Sequence, residues 1–150
     1  MTSFRDLHKP GQPFILANAW DIGSAMVLKS MGAQAIATSS AAHAFTLGRP
    51  DGLGVTRDQA LAHAQDLTAA TGLPVQGDFE NGWGDDPDTV AETVRLAGEI
   101  GLAGICIEDL KTPSYEAYDR AFAIERIKAA VSAARALPDD FVLTARADGI

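Results

Sequence analysis

The sequence predicts an α/β protein of the (β/α)8 TIM-barrel type, its 150 residues covering roughly the first five strands and four helices of one catalytic barrel domain. Three observations predict it. Short runs that are apolar throughout alternate with longer amphipathic stretches, the pattern of a parallel sheet covered by helices. Carboxylates follow successive apolar runs: Asp78-Phe79-Glu80 after one, Glu108-Asp109 after the next, with Asp51 upstream. The first strand–helix turn, Asn18-Ala19-Trp20-Asp21, lacks the glycines that a nucleotide-binding doubly wound sheet carries there, so the barrel is preferred to the open sheet.

Each element follows from local chemistry. Phe14 to Asn18 reads as a buried strand after the Pro10-Gly11 turn. Asp21 caps a helix running to about Met31, and Gly32 ends it. Ala35 to Thr38 is the second strand, and Ser39 to Asp51 is loop-like with room for a helical turn. Thr56-Arg57-Asp58-Gln59 fits a capping box, opening a helix that stops near Gly72. Leu73 to Phe79 is the third strand, followed by a loop of Gly82, Gly84, Asp85, Asp86 and Pro87. A helix from about Asp88 to Ile100 stops at Gly101, and Gly104 to Ile107 is the fourth strand. Tyr115 to Ala136 reads helical, with Ile124, Ile127, Ala130, Val131 and Ala134 on one stripe. Phe141 to Ala145 is the fifth strand. A barrel of this type takes about 250 residues. The chain, which stops at Asp148-Gly149-Ile150 just past a strand tip, therefore reads as a fragment or a truncated product. Alone, it would leave a strand edge open to pairing, swapping or aggregation.

Composition narrows the partners. Apolar residues make up 47 % and charged residues 21 %, an ordinary globular profile. A net charge of −8 without a basic cluster argues against nucleic acid or an anionic membrane surface. No apolar stretch approaches the roughly 20 residues of a membrane span, and Met1 to Pro10 lacks an apolar signal core. The single cysteine, Cys106, rules out an internal disulfide and suits a reducing compartment, so a cytoplasmic location is expected.

The strand tips of such a chain converge on one rim, where several carboxylates would repel each other without a cation. A divalent-metal site is expected there. Mg²⁺ accepts one or two protein carboxylates and keeps several waters. The spacing suits Asp78 as a direct ligand, with Glu80, Glu108 and Asp51 holding the metal's waters. Asp78 and Glu80 are two apart and share a strand face, while Phe79 points towards the helices. The competing reading makes these acids solvated caps of the following helices. Arg146, at the fifth strand tip, can grip a carboxylate through two parallel hydrogen bonds, or pair with Asp148 or a neighbouring acid. Ser39 and Ser40 are small enough for backbone N–H groups to approach a substrate oxyanion, though on this segment alone an ordinary turn is the better reading. His8, His43 and His63 lack ligand spacing; His63 fits an exposed helix face, and His43 lies in the second loop. Cys106 reads as core, Trp20 and Trp83 as packing, and no Ser–His–Asp triad assembles.

Six segments carry a resemblance. They are Asn18-Ala19-Trp20-Asp21, Thr38-Ser39-Ser40-Ala41, Leu47-Gly48-Arg49-Pro50-Asp51-Gly52, Asp78-Phe79-Glu80-Asn81-Gly82-Trp83-Gly84, Gly104-Ile105-Cys106-Ile107-Glu108-Asp109 and Leu143-Thr144-Ala145-Arg146-Ala147-Asp148. In this order they resemble the isocitrate lyase/phosphoenolpyruvate mutase superfamily. The resemblance implies a Mg²⁺-dependent (β/α)8 barrel that makes or breaks a C–C or P–C bond beside a small 2-oxo acid. It implies Asp78 as the direct metal ligand and Asp51, Glu80 and Glu108 as holders of metal-bound water. It places Ser39 and Ser40 in the substrate-binding loop and makes Arg146 the substrate-binding arginine. The chain departs from the lyases after the fourth strand. Glu108-Asp109-Leu110-Lys111-Thr112-Pro113-Ser114-Tyr115 has neither the Lys-Cys-Gly-His stretch of the lyases nor the asparagine of the phosphonate-forming mutases. This points to the phosphonomutase-like branch and leaves the general acid unassigned. Strands six to eight and the C-terminal helix exchanged between subunits fall outside the chain. The expected activity is a Mg²⁺-dependent lyase, decarboxylases included, acting on a small anionic carboxylate through an enolate in a homo-oligomer. The alternatives are a phosphonopyruvate-type P–C mutase or hydrolase and a non-catalytic half-barrel.

Overall fold

The computed structural model describes residues 3–148; the reading made on Gly149 and Ile150 lies outside them. The elements run α1 (Phe4–Leu7), β1 (Ala17–Asn18), α2 (Ile22–Ser30), β2 (Ile36–Ala37), α3 (Ser40–Thr46), α4 (Arg57–Thr71), β3 (Val75–Asp78), α5 (Pro87–Glu99), β4 (Gly104–Glu108), α6 (Arg120–Ala136) and β5 (Val142–Arg146). The five strands form one parallel sheet in sequence order, β1-β2-β3-β4-β5. A doubly wound sheet reverses its order at a switch point. This sheet only advances, so it is the first part of a (β/α)8 barrel rather than an open sheet.

The caps set the boundaries. Asp21 accepts from the Ser24 N–H and Thr56 from the Gln59 N–H, each in a reciprocal capping box. Asp86 accepts from the Thr89 N–H with Pro87 in the first turn of α5, and Asp119 starts α6. Gly72 ends α4 at φ +63, where a Cβ would be strained.

The sheet has two unlike faces. Ile36, Val75, Ile105 and Ile107 join Leu61, Ala64, Leu67, Val90, Val94, Ala97 and Ala130 of the helices in one buried core. The opposite face is polar or small. Register sets Asp78 beside Cys106, Cys106 beside Thr144, and Glu108 beside Arg146. The Gln76 amide donates to Thr144 across the same face at 3.4 Å. Phe79 is buried on the helix side, edge-on to Trp83 at 5.3 Å, as the alternation predicts.

Several boundaries differ from expectation. The first strand keeps only Ala17 and Asn18, because Phe14 turns into an aromatic cluster with Phe4 and His8. The unpredicted α1 buries Phe4, while Arg5 bonds Asp140 at 2.6 Å and the Phe141 carbonyl at 2.9 Å. The helical turn after β2 is the seven-residue α3. The last helix begins at Arg120, not Tyr115. Tyr115 sits at φ +56, outside any helix, and Leu110 bridges Ala117 to fold residues 110–117 back on themselves. Among the described residues, no helix is long and apolar enough to cross a membrane.

Candidate active site

A cleft of about 280 Å³ opens at the C-terminal ends of the strands. Its lining includes Asn18 after β1, Ser39, Ser40 and Asp51 after β2, Asp78 and Glu80 after β3, Glu108 at the end of β4, and Arg146 and Asp148 at the end of β5. The fold thus brings all seven predicted site residues to one cleft. Five carboxylates there face one guanidinium.

Asp78 is the hub. Its Oδ2 accepts from both the N–H and the hydroxyl of Ser40, each at 2.8 Å. Its Oδ1 lies 3.3 Å from Arg146 Nη1 and 3.4 Å from Cys106 Sγ. Its own N–H donates to buried Thr38 at 2.7 Å, which fixes the strand tip. Ser40 is therefore engaged with Asp78, and the Ser39 hydroxyl accepts from the Ala42 N–H to cap α3. Arg146 also reaches Glu108 Oε1 at 3.0 Å and Asp148 at 2.9 Å.

The electrostatics are those of crowded acids. Glu80 is pushed up to about 7, first by burial, then by the charges of Asp51 and Asp78, against a hydrogen bond from Thr112. Glu108 is also pushed up to about 7; burial raises it, Arg146 opposes, and Asp78, Asp148 and Glu80 add repulsion. Burial works against the charge of Arg146, but Asp148, Glu108 and Asp78 outweigh it and hold the guanidinium above its usual range. Burial pushes the Cys106 thiol up to about 12, with the Asp78 charge adding.

Among the described residues, no three His, Cys, Asp or Glu side chains converge tightly enough to chelate a metal unaided. The donor set instead fits a hydrated hard cation: all-oxygen carboxylates, five of them lining one cleft with a single guanidinium. The excess of acids over bases is the chemistry such an ion satisfies.

Glu80 differs from the strand-alternation argument. The strand stops at Asp78, and Glu80 reaches the cleft through a left-handed conformation, φ +46. His63 is not on an exposed face. It is half-buried, its Nε2 lies 2.9 Å from the Trp20 carbonyl, and its ring stacks on His43 at 3.8 Å. The Tyr115 hydroxyl, which sequence reasoning offered only as an unsupported general acid, donates to the Asp51 carbonyl at 2.9 Å and closes over Gly52. The positive φ of Gly52, +67, and the absence of a Cβ make that approach possible. An isolated Asp-Gly pair carries the only sequence signal for it.

The profile of the phosphoenolpyruvate phosphomutase family matches residues 4–150. The chain is 32% identical to 2-methylisocitrate lyase of Salmonella typhimurium, over 96% of this chain and 54% of that protein. It superposes with a TM-score of 0.91 on a Burkholderia cenocepacia protein assigned only broadly as a lyase/mutase, at 51% identity, covering 97% of this chain and 52% of the other. Oxaloacetate acetylhydrolase in complex with its product oxalate gives a TM-score of 0.81 at 30% identity, covering 89% of this chain and 47% of the other. The chain spans about half the length of these proteins. With five parallel strands in barrel order and an acidic cleft at their C-terminal ends, the chain belongs to the isocitrate lyase/phosphoenolpyruvate mutase superfamily.

Proposed function

We propose that this chain carries the metal- and substrate-binding half of a Mg²⁺-dependent lyase for a small 2-oxo acid or related carboxylate. The observation that carries this reading is the cleft itself, in which five carboxylates from three strand tips and two adjoining loops face a single arginine. Asp78 would hold Mg²⁺ directly, with Asp51, Glu80 and Glu108 ordering its waters. When bound, the ion supplies Lewis-acid stabilisation of negative charge on the substrate's oxygens as the neighbouring bond breaks. Ser40 keeps the Asp78 carboxylate oriented through two hydrogen bonds. Arg146 holds the substrate carboxylate by a two-pronged contact, exchanging its present acid partners for the ligand. Ser39 borders the same space, and Tyr115 covers its outer side.

The test is calorimetric titration with oxalate, a planar dianion with the oxygen arrangement of a 2-oxo acid enolate. The expected result is binding by the wild-type chain that requires Mg²⁺ and is lost in Asp78→Ala. Binding that is indifferent to Mg²⁺, or retained in Asp78→Ala, would sink the assignment.

A second reading is a P–C bond mutase or hydrolase. The phosphoenolpyruvate phosphomutase profile favours it. Phosphorus NMR of phosphonopyruvate incubated with the protein separates the two: a new phosphorus resonance supports this reading, and an unchanged spectrum removes it.

A further inference from the structure

Arg126 lies in the middle of α6 and is only 1 % exposed, yet among the described residues it pairs with no carboxylate side chain. Its guanidinium is spent on backbone carbonyls. Nε donates to the Asp85 carbonyl at 2.8 Å, Nη2 to Gly84 at 2.9 Å and to Asn81, and Nη1 to Glu108 at 3.3 Å. The Tyr118 ring lies 4.0 Å from the guanidinium carbon. The Tyr118 hydroxyl donates to Asp85 Oδ1 at 2.6 Å and accepts from Asn81 Nδ2 at 2.9 Å.

These contacts close a ring around the rim of the cleft. The Glu108 N–H donates to the Glu80 carbonyl at 2.8 Å. Glu108 and Asn81, the residue after Glu80, both accept from Arg126. Within the same segment Glu80 and Trp83 hold left-handed conformations, φ +46 and +61, which residues with a Cβ rarely adopt and which persist only where the surroundings fix them. A buried arginine is costly where a methionine or leucine of similar volume would pack. The five-donor fork, however, satisfies carbonyls from the β3–α5 loop and from β4 at once, and neither apolar residue nor lysine has that geometry.

We propose that Arg126 is the positioning residue of the acidic rim. By clamping the β3–α5 loop to the end of β4, it sets the spacing of the Glu80 and Glu108 carboxylates and so the affinity for the cation. It touches neither metal nor substrate. This inference rests on the Mg²⁺ reading above.

The test compares wild type, Arg126→Lys, Tyr118→Phe and the core variant Leu67→Ala, which loses stability away from the cleft. Mg²⁺ affinity is measured by calorimetry in the presence of oxalate, and amide exchange is followed over residues 80–86 and at Glu108. Arg126→Lys is expected to weaken Mg²⁺ about ten-fold or more, the range for residues that orient metal ligands, and to lose protection over residues 80–86. Tyr118→Phe, which keeps the arginine and the ring, should loosen the same segment to a lesser degree. Leu67→Ala should lower the melting temperature and leave Mg²⁺ affinity near wild type. Wild-type-like Mg²⁺ affinity in a folded Arg126→Lys protein would overturn the clamp while leaving the metal reading intact. An equal loss of affinity in Leu67→Ala would reduce Arg126 to general stability and also overturn it. A folded wild type that binds no Mg²⁺ would overturn both.

Discussion

The imidazoles of His43 and His63 stack almost parallel, at 16°, between α3 and α4. Burial lowers both, and for His43 the neighbouring charges of His63 and Arg49 add to it. For His63 the Trp20 carbonyl, Asp66 and Asp21 work in the opposite direction without prevailing. Among the described residues His43 Nε2 is buried without a partner, so a second N–H on that ring has no acceptor among them. A histidine held neutral in the fold contributes stability that is full above its ordinary value of 6.5 and is lost as pH falls towards the lowered folded value. Glu80 and Glu108, raised to about 7, have the opposite sign: they favour the fold as pH falls. The histidine contribution is therefore read by difference. Urea unfolding of wild type and His43→Gln at pH 7.5 and 5.5 should show a smaller loss on acidification in the variant; equal losses would exclude the pair as the cause. At this scale the strand-tip acids were legible, because a carboxylate after an apolar run has few places to go. Arg126 was not. On a helix wheel it is one basic residue among many, and its acceptors belong to a loop some forty positions away.

At the scale of elements, helix starts were readable at Asp21 and Thr56, where a side chain caps its own third residue, but not at Ser3, which caps Asp6 in the same way. The start of α6 was misread by five residues. The apolar stripe continues through Tyr115 and Tyr118, but those rings serve the cleft and the Arg126 clamp instead. The third strand proved shorter than read, stopping at Asp78 before the chain turns into left-handed backbone at Glu80. Close packing between strands gives a sharp expectation. A Cβ at Gly104 would overlap the Val142 carbonyl of the adjacent strand. Gly104→Ala should therefore cost about 1–3 kcal/mol by urea denaturation, the usual penalty of overpacking; an unchanged midpoint would show that β5 yields. The same substitution leaves Asp78 and Arg146 in place, so any loss of ligand affinity should follow stability rather than precede it.

For the molecule as a whole, the uninterrupted order β1 to β5 leaves the outer edges of β1 and β5 without strand partners among the described residues. Apolar side chains stand exposed on both flanks, Met26 and Val27 on α2 and Ile124 on α6. Unpaired edges beside apolar surface favour association. The 150-residue chain, produced alone, should self-associate, read as a mass of at least a dimer by light scattering after size exclusion; a monomer at micromolar concentration would contradict this. The barrel order was legible because a short apolar run recurs after each predicted helix. An open strand edge was legible as well, because five strands fall short of a closed barrel; that β1 and β5 are the two edges follows from the strand order.

The two ends of the sheet have unequal duties. Helix-side residues such as Leu67, Val94 and Ile107 hold the chain together, while the candidate site residues stand at and beyond the C-terminal ends of the strands. Change can therefore accumulate at one pole without being vetoed at the other. Such a division lets one ancestral frame diversify its reactions by drift in a few loops, and it makes the residues after β2, β3 and β4 the natural target for any attempt to redirect what this cleft accepts.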